Sequence, residues 1–301
     1  MSSSRPSSFL GLDRPHSDAP HAGYWVVPVP YERTTSYQQG TRDGPDAILR
    51  ASAQVEFHDE ELGVQPARAG IHTCPPVACD EEPEAFCRNL EAQYAAWGAD
   101  RHVLCALGGE HTVTVGPVRA LAARHSGLGV LQIDAHADLR SNYEGSTHSH
   151  ACVARRVVDV APVVQVGIRA LSAPEARFLR DCDRVRTFLA HEASDDLPAR
   201  ATAALPELVY VTLDIDGLDP AEAPGTGTPE PGGLRYREVL AVLREVARHK
   251  RIVGFDVVEV RPLAGSTVTE FLAARLVYKM IGYIETRGGT VTPDWPLPPL
   301  E

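Results

Sequence analysis

From residue 24 onward the chain alternates short apolar runs with longer stretches whose apolar residues recur every three or four positions. The runs are YWVVPV (24–29), ARAGI (67–71), HVLCAL (102–107), GVLQID (129–134), VVQVGI (163–168), RVRTFL (184–189), LVYVTLD (208–214) and RIVGFDV (251–257). Each is short and nearly continuous in its apolar character, the pattern of a strand buried on both faces. Between them, residues 83–97 place Phe86, Leu90, Tyr94 and Trp97 on one helical face, with Pro83 early and Gly98 just past the end. Residues 235–250 do the same with Val239, Leu240, Leu243 and Val246. Eight strands alternating with helices predict one α/β domain, a three-layer α/β/α arrangement around a mostly parallel eight-stranded sheet. Residues 1–20 are polar and rich in Pro and Ser and read as a flexible tail, which leaves 21–301 as a single domain.

The polar residues that interrupt this pattern fall at the ends of the runs. GGEH follows the third run, DAHAD (134–138) ends the fourth, Arg169 follows the fifth, DID (214–216) ends the seventh, and Glu259 follows the eighth. In an open parallel sheet, ligands bind outside the carboxyl ends of the strands, so five strand ends are expected to share one crevice. If DAHAD continues its strand, Asp134, His136 and Asp138 line one face, with alanines leaving room between them. Three such groups packed together without a cation would repel and be poorly solvated, and a metal is the simplest compensation. Asp214 sits inside a strand-like run, where Asp is depleted. Glycines 108 and 109 permit a tight turn before Glu110 and His111. Four carboxylates (Asp134, Asp138, Asp214, Asp216) and two imidazoles (His111, His136) exceed one tetrahedral zinc site. They suit two oxygen-seeking divalent ions, with Mn²⁺ a natural match, bridged by two carboxylates and able to activate a water between them.

Composition narrows the partners. Of the 301 residues 44% are hydrophobic and 23% charged, which is ordinary for a globular chain, and the formal net charge of −11 disfavours nucleic acid. That charge suits cations, whether metal ions or a cationic small molecule. The six cysteines form no C-x-x-C pair, and CPPVAC (74–79) matches no common zinc or redox motif, so reduced thiols are expected. The first residues contain no apolar signal-peptide core, and no run is long enough to span a bilayer. A cytoplasmic protein without a membrane partner is expected.

GGEH, DAHAD, SHACVARR (149–156), LDIDGLDPAEAPGTGTPEPGGL (213–234) and DVVEVRP (256–262), together with the entry segment TTSYQQGTRDGPDAILRAS (34–52), resemble the ureohydrolase superfamily of arginase and agmatinase. The loop APGTGTPEPGG resembles the agmatinase branch more than the arginase branch. The resemblance runs from about residue 24 to about residue 285. It implies an arginase-like fold, a homo-oligomer (trimer or hexamer), and two Mn²⁺ per chain. By the family pattern His111, Asp134, Asp138 and Asp214 would hold one ion, and Asp134, His136, Asp214 and Asp216 the other. Glu259 would orient the substrate guanidinium, and His150 would carry a proton to the leaving amine, with Asp138 beside the reacting groups. Two departures from the pattern are Glu110, where many members have Asp, and Ala151, where many have Gly.

The expected reaction cleaves a guanidino substrate to urea and an amine. The first expectation is agmatine, giving putrescine, with Glu144 in the segment LRSNYEGSTHS (139–149) reading the far ammonium. Guanidinobutyrase, arginase and formimidoylglutamase are the alternatives within the family. A single-zinc deacetylase of the same fold would want fewer carboxylates and adjacent histidines, and the chain has no His-His dipeptide. A non-catalytic scaffold would lack a ligand or the shuttle, and none is missing.

Overall fold

The computed structural model describes residues 8–98 and 102–301. Eight strands form one sheet: β1 (Tyr24–Val29), β2 (Ile71–Thr73), β3 (Val103–Gly108), β4 (Leu128–Ile133), β5 (Val163–Ile168), β6 (Val185–Leu189), β7 (Leu208–Asp214) and β8 (Arg251–Val258). Their order is β2-β1-β3-β8-β7-β4-β5-β6, and every neighbouring pair is parallel. An all-parallel sheet needs a crossover between strands, and the helices that make the crossovers cover both faces. On one face lie α1 (Gly44–Ser52), α6 (Leu197–Ala204), α7 (Tyr236–His249) and α8 (Val268–Thr286). On the other lie α2 (Pro83–Trp97), α3 (Val115–Arg124) and α4 (Val153–Val157), with α5 (Ala173–Asp181) against that layer through Phe178.

The continuous apolar runs now have a cause. Alternate side chains of one strand enter different cores: Leu131 and Ile133 of β4 belong to the first, Val130 to the second. A strand with two dry faces has no polar positions to alternate. In helix α7 Val239, Leu243 and Val246 are buried as their spacing predicts, Val242 joins them, and Leu240 is half-buried. All six cysteines are free, four of them buried.

Three expectations are corrected. The second strand lies at Ile71–Thr73, because Pro66–Ala69 form a 3₁₀ turn in which the proline fixes the first residue. The DAHAD pentapeptide lies beyond β4 rather than in it, so its side chains converge by loop geometry and not by strand alternation. The expected tail is docked from Ser8 onward: Phe9, Leu10 and Leu12 are buried in the first core, and residues 1–7 lie outside the described residues. Three apolar side chains in the four residues FLGL outweigh the polar character of their surroundings.

Strands β3, β8, β7 and β4 are consecutive in the sheet, so GGEH, Glu259, the DID segment and DAHAD emerge side by side at its carboxyl edge. Gly109 makes this approach possible. A Cβ there would sit 2.0 Å from the Tyr31 carbonyl oxygen, so only glycine lets the entry segment lie against the turn.

Candidate metal centre and substrate cavity

The crevice is built around His111. Its Nδ1 lies 3.2 Å from Asp134 Oδ2, 3.1 Å from Asp138 Oδ2 and 3.3 Å from Asp214 Oδ2. A second group adjoins the first: His136 Nδ1 is 3.0 Å from Asp216 Oδ2 and 3.7 Å from Asp134 Oδ1. Asp134 thus offers one oxygen to each group. The chain folds this way because backbone and side-chain donors fix each carboxylate. The His136 N–H donates to Asp134 Oδ1, Gln132 Nε2 to Asp134 Oδ2, the Asp216 N–H to Asp214 Oδ1 and the Ala135 N–H to Asp216 Oδ1. Asp138 (φ 51°) and Glu259 (φ 62°) both adopt left-handed backbone conformations, a strain that the surrounding structure holds in place.

The tautomer of His111 follows from counting protons. Asp256 accepts hydroxyl protons from Thr114, Thr212 and Tyr210. Having given its proton to Asp256, the Thr212 hydroxyl can only accept at its 2.9 Å contact with His111 Nε2. Nε2 therefore carries a hydrogen, and Nδ1 is the nitrogen that faces the three carboxylates. Burial opposes a charge on this ring, yet hydrogen bonds to Asp134, Asp138 and Asp214 raise the imidazole well above its ordinary value, so without cations Nδ1 holds a proton among the carboxylates. A buried ring nitrogen aimed into carboxylates, with a proton that a cation can replace, is the donor arrangement of a cation site, and the residues fit a pair of divalent ions. They form two sets, His111–Asp134–Asp138 and Asp134–His136–Asp216, with Asp214 against the first.

The ionisation of the cluster points the same way. Burial, then the Asp216 and Asp134 charges, push the Asp214 carboxyl well above the usual range. Burial and the Asp134 charge push Asp138 up to about 7. Burial opposes a charge on His136, yet Asp216 and Asp134 outweigh it and raise the imidazole to about 12. Burial would likewise raise Asp134, but His111 and His136 hold it below the carboxylate range. Without cations the cluster must take up protons to be tolerated, and divalent ions supply the same compensation.

Above the cluster is a cavity of about 210 Å³, walled by residues 35–38, Arg140, Tyr143 and Thr228. His150 and Glu259 line it with His111, His136, Asp138, Asp214 and Asp216. Glu259 Oε1 accepts the His111 N–H at 2.8 Å, and burial with the nearby Glu110 charge raises its carboxyl well above the usual range. Burial lowers His150 from its ordinary value. The structure therefore brings together every residue expected at the site except Glu144, with Asp134 in the cluster beneath the cavity floor, fully buried. Glu144 is exposed at the tip of a two-residue turn closed by reciprocal Tyr143–Ser146 backbone bonds, and it is not in the cavity wall. Its neighbour Tyr143 is, with the Arg140 guanidinium 4.8 Å from its ring centre. Asp256, Thr212, Gln132 and Thr34 went unnoticed in sequence, because each looks like an ordinary strand or loop residue. Only the rarity of Asp inside the run RIVGFDV marks one of them.

Residues 22–282 match the arginase family. The chain belongs to the arginase family. Among its relatives is an N(1)-aminopropylagmatine ureohydrolase of Synechocystis sp., 40% identical over 291 residues, covering 93% of this chain and 94% of the relative. An agmatinase of Pyrococcus horikoshii is 32% identical over 276 residues, covering 90% and 95%. Among solved structures, the agmatine ureohydrolase of Thermoplasma volcanium superposes with a TM-score of 0.83 at 30% identity, covering 93% and 94%. These relatives support the agmatinase branch and make the protein a ureohydrolase. Among the described residues of this ureohydrolase no helix is long and apolar enough to cross a membrane.

Proposed function

We propose that this ureohydrolase hydrolyses the guanidinium of a cationic, agmatine-type substrate, that residues 21–301 are its single catalytic domain, and that it works with two Mn²⁺ ions. The observation that carries the reading is the buried His111 Nδ1 facing three carboxylates beneath a cavity lined by Glu259 and His150. His111, Asp134, Asp138 and Asp214 form one binding set, and Asp134, His136, Asp214 and Asp216 the other. When bound, such a pair of ions supplies Lewis acidity and brings the ionisation of a water to near neutral pH.

The chain's own residues do the rest. Glu259, buried and reluctant to ionise alone, becomes a carboxylate when a planar guanidinium arrives to pair with it, which favours a cation with two parallel N–H donors. The cavity walls hold the guanidinium carbon in line over the cluster, converting a bimolecular attack into a local one. His150 gives its proton to the nitrogen that departs, since an amine leaves poorly unless protonated. The balance is R–guanidinium plus water to R–ammonium plus urea.

The substrate's far end decides between two members of the class. The 40% identical relative named for N(1)-aminopropylagmatine favours that compound, whose loss of urea leaves spermidine. The wall offers aromatic faces at Tyr37 and Tyr143, which suit a methylene chain bearing ammonium groups, and Tyr37 is 74% exposed, at an open mouth that accommodates an extension. Agmatine, giving putrescine, is the second reading, favoured by the agmatinase relative. The test compares kcat/KM for N(1)-aminopropylagmatine, agmatine, arginine and 4-guanidinobutyrate with urea detection. The two polycations should lead. A preference for arginine or 4-guanidinobutyrate would reject the substrate class while leaving ureohydrolase chemistry in place.

A further inference from the structure

His150 sits against the entry segment rather than against another carboxylate. Its Nδ1 is 3.1 Å from Thr34 Oγ1, and its backbone N–H donates to the same oxygen at 3.0 Å. Thr34 Oγ1 in turn donates to Glu110 Oε1 at 2.7 Å. Glu110 is fully buried, and its other contacts are all donors: the Arg33 and Thr34 N–H groups to Oε2, and the Thr112 hydroxyl to Oε1.

We propose that Thr34, held by Glu110, is a positioning residue that fixes the tautomer of His150 with the hydrogen on Nδ1, leaving Nε2 as the nitrogen that exchanges protons with the substrate. A hydroxyl has one proton and two lone pairs. Two hydroxyls and two backbone N–H groups fill the lone pairs of the Glu110 carboxylate, so the Thr34 proton is spent there. The Thr34 oxygen must then accept both its contacts from His150, the backbone N–H and Nδ1–H. Ser149 Oγ also lies 3.3 Å from Nδ1 and accepts from the Ala151 N–H. Were Ser149 to donate to Nδ1 instead, the ring and Thr34 would face each other with lone pairs at 3.1 Å. On the far side of the ring, Nε2 has only a long 3.5 Å approach from Ser36 Oγ and borders the cavity. When Nε2 takes up a proton, the chain His150–Thr34–Glu110 places a carboxylate behind the imidazolium. The arrangement mirrors His111, whose opposite nitrogen is held by Thr212 and Asp256.

The inference rests on His150 as the proton donor, and the experiment separates the two. Thr34→Val removes the hydroxyl with little change of shape, Thr34→Ser keeps it, and Glu110→Gln keeps the shape but reverses a bond. In that variant the amide oxygen serves the two backbone N–H groups, and the amide nitrogen donates to Thr34, which must then donate to His150 and select the wrong tautomer. Steady-state kinetics with the polycationic substrate, with metal content measured on the same samples, give the readouts. Thr34→Val and Glu110→Gln should each lower kcat about 10- to 100-fold with KM within about threefold and metal content unchanged, whereas Thr34→Ser stays near wild type. Glu110→Gln in the Thr34→Val background should add little. A wild-type kcat for Thr34→Val overturns the proposal, as does a Thr34→Ser variant as impaired as Thr34→Val, or loss of metal in Thr34→Val. His150→Asn with wild-type kcat overturns the underlying reading instead.

Discussion

At the scale of single residues, the two working histidines are set by the same device from opposite ends. Each has one ring nitrogen held by a threonine whose proton is committed to a buried carboxylate, and each turns its other nitrogen to the cavity. For His111 that nitrogen is Nδ1, facing three carboxylates, and for His150 it is Nε2, on the side away from Thr34. Such orientation is what makes a general acid effective. His150→Asn is therefore expected to lower kcat about 10²- to 10⁴-fold with metals retained. Kinetics on samples of verified metal content check this. Glu144 marks the limit of reading residues by type alone. In sequence it is an anion in the segment that joins Asp138 to His150, a natural reader of an ammonium. In the structure it occupies the first position of a tight turn at φ 48°, followed by Gly145 at φ 86°, and stays in solvent. Its pull on a substrate ammonium is then that of a screened surface charge. Glu144→Gln should raise KM for a dication by no more than about fivefold and leave KM for 4-guanidinobutyrate unchanged. A larger rise would mean that the turn folds inward over bound substrate.

At the scale of elements, what the sequence discloses is decided by distance along the chain. The ligand clusters are legible because ligand-type side chains stand two residues apart at the end of an apolar run, where nothing else explains them. The supports of those clusters are illegible because their partners are remote. Thr34 meets Glu110 and His150, and Thr212 meets His111 and Asp256, only after the crossovers have brought β3, β7 and β8 together with the entry segment. The entry segment itself depends on Glu32, whose carboxylate accepts from the Thr41 N–H, the Thr41 hydroxyl and the Arg42 guanidinium, and from the Gly40 N–H. Burial alone would raise Glu32, but these bonds outweigh it and hold the group below its usual value. A carboxyl depressed in the folded state stabilises above its unfolded value and loses that contribution as pH falls through the folded one. Glu32→Gln should thus cost about 1–3 kcal/mol at pH 7. The difference from wild type should shrink once the pH drops below about 4.3, the ordinary glutamate value. Urea melts of chelator-treated protein at pH 7 and pH 4 measure both. An equal cost at the two pH values would show that shape, not charge, is what Glu32 contributes.

At the scale of the molecule, the parallel sheet gathers its acidic residues at one edge, and the fold must hold them there before any cation arrives. Asp134, Asp138, Asp214 and Asp216 are all buried, within a chain of net charge −11. Their mutual repulsion is a cost to the cation-free protein and, on the proposed function, the source of its affinity for divalent ions, so one substitution should have opposite effects on the two forms. Two bound ions add to stability by mass action, about 2.7 kcal/mol for each site at a hundredfold excess over its Kd. Wild type should therefore lose thermal stability on chelation and regain it with Mn²⁺. Asp214→Asn removes a carboxyl that burial, then Asp216 and Asp134, disfavour as an anion, and its amide can still accept the Asp216 N–H. The chelated variant should melt at or above the chelated wild type, because it has no carboxyl that must take up a proton to be buried in the cluster. The same variant should gain little from Mn²⁺, because the oxygen facing His111 Nδ1 is no longer anionic. Thermal melts of both proteins, with chelator and with excess Mn²⁺, give the four numbers needed. A variant that melts lower than wild type by the same interval in both conditions would mean that Asp214 supports the fold alone and that the carboxylate ring is not built for cations.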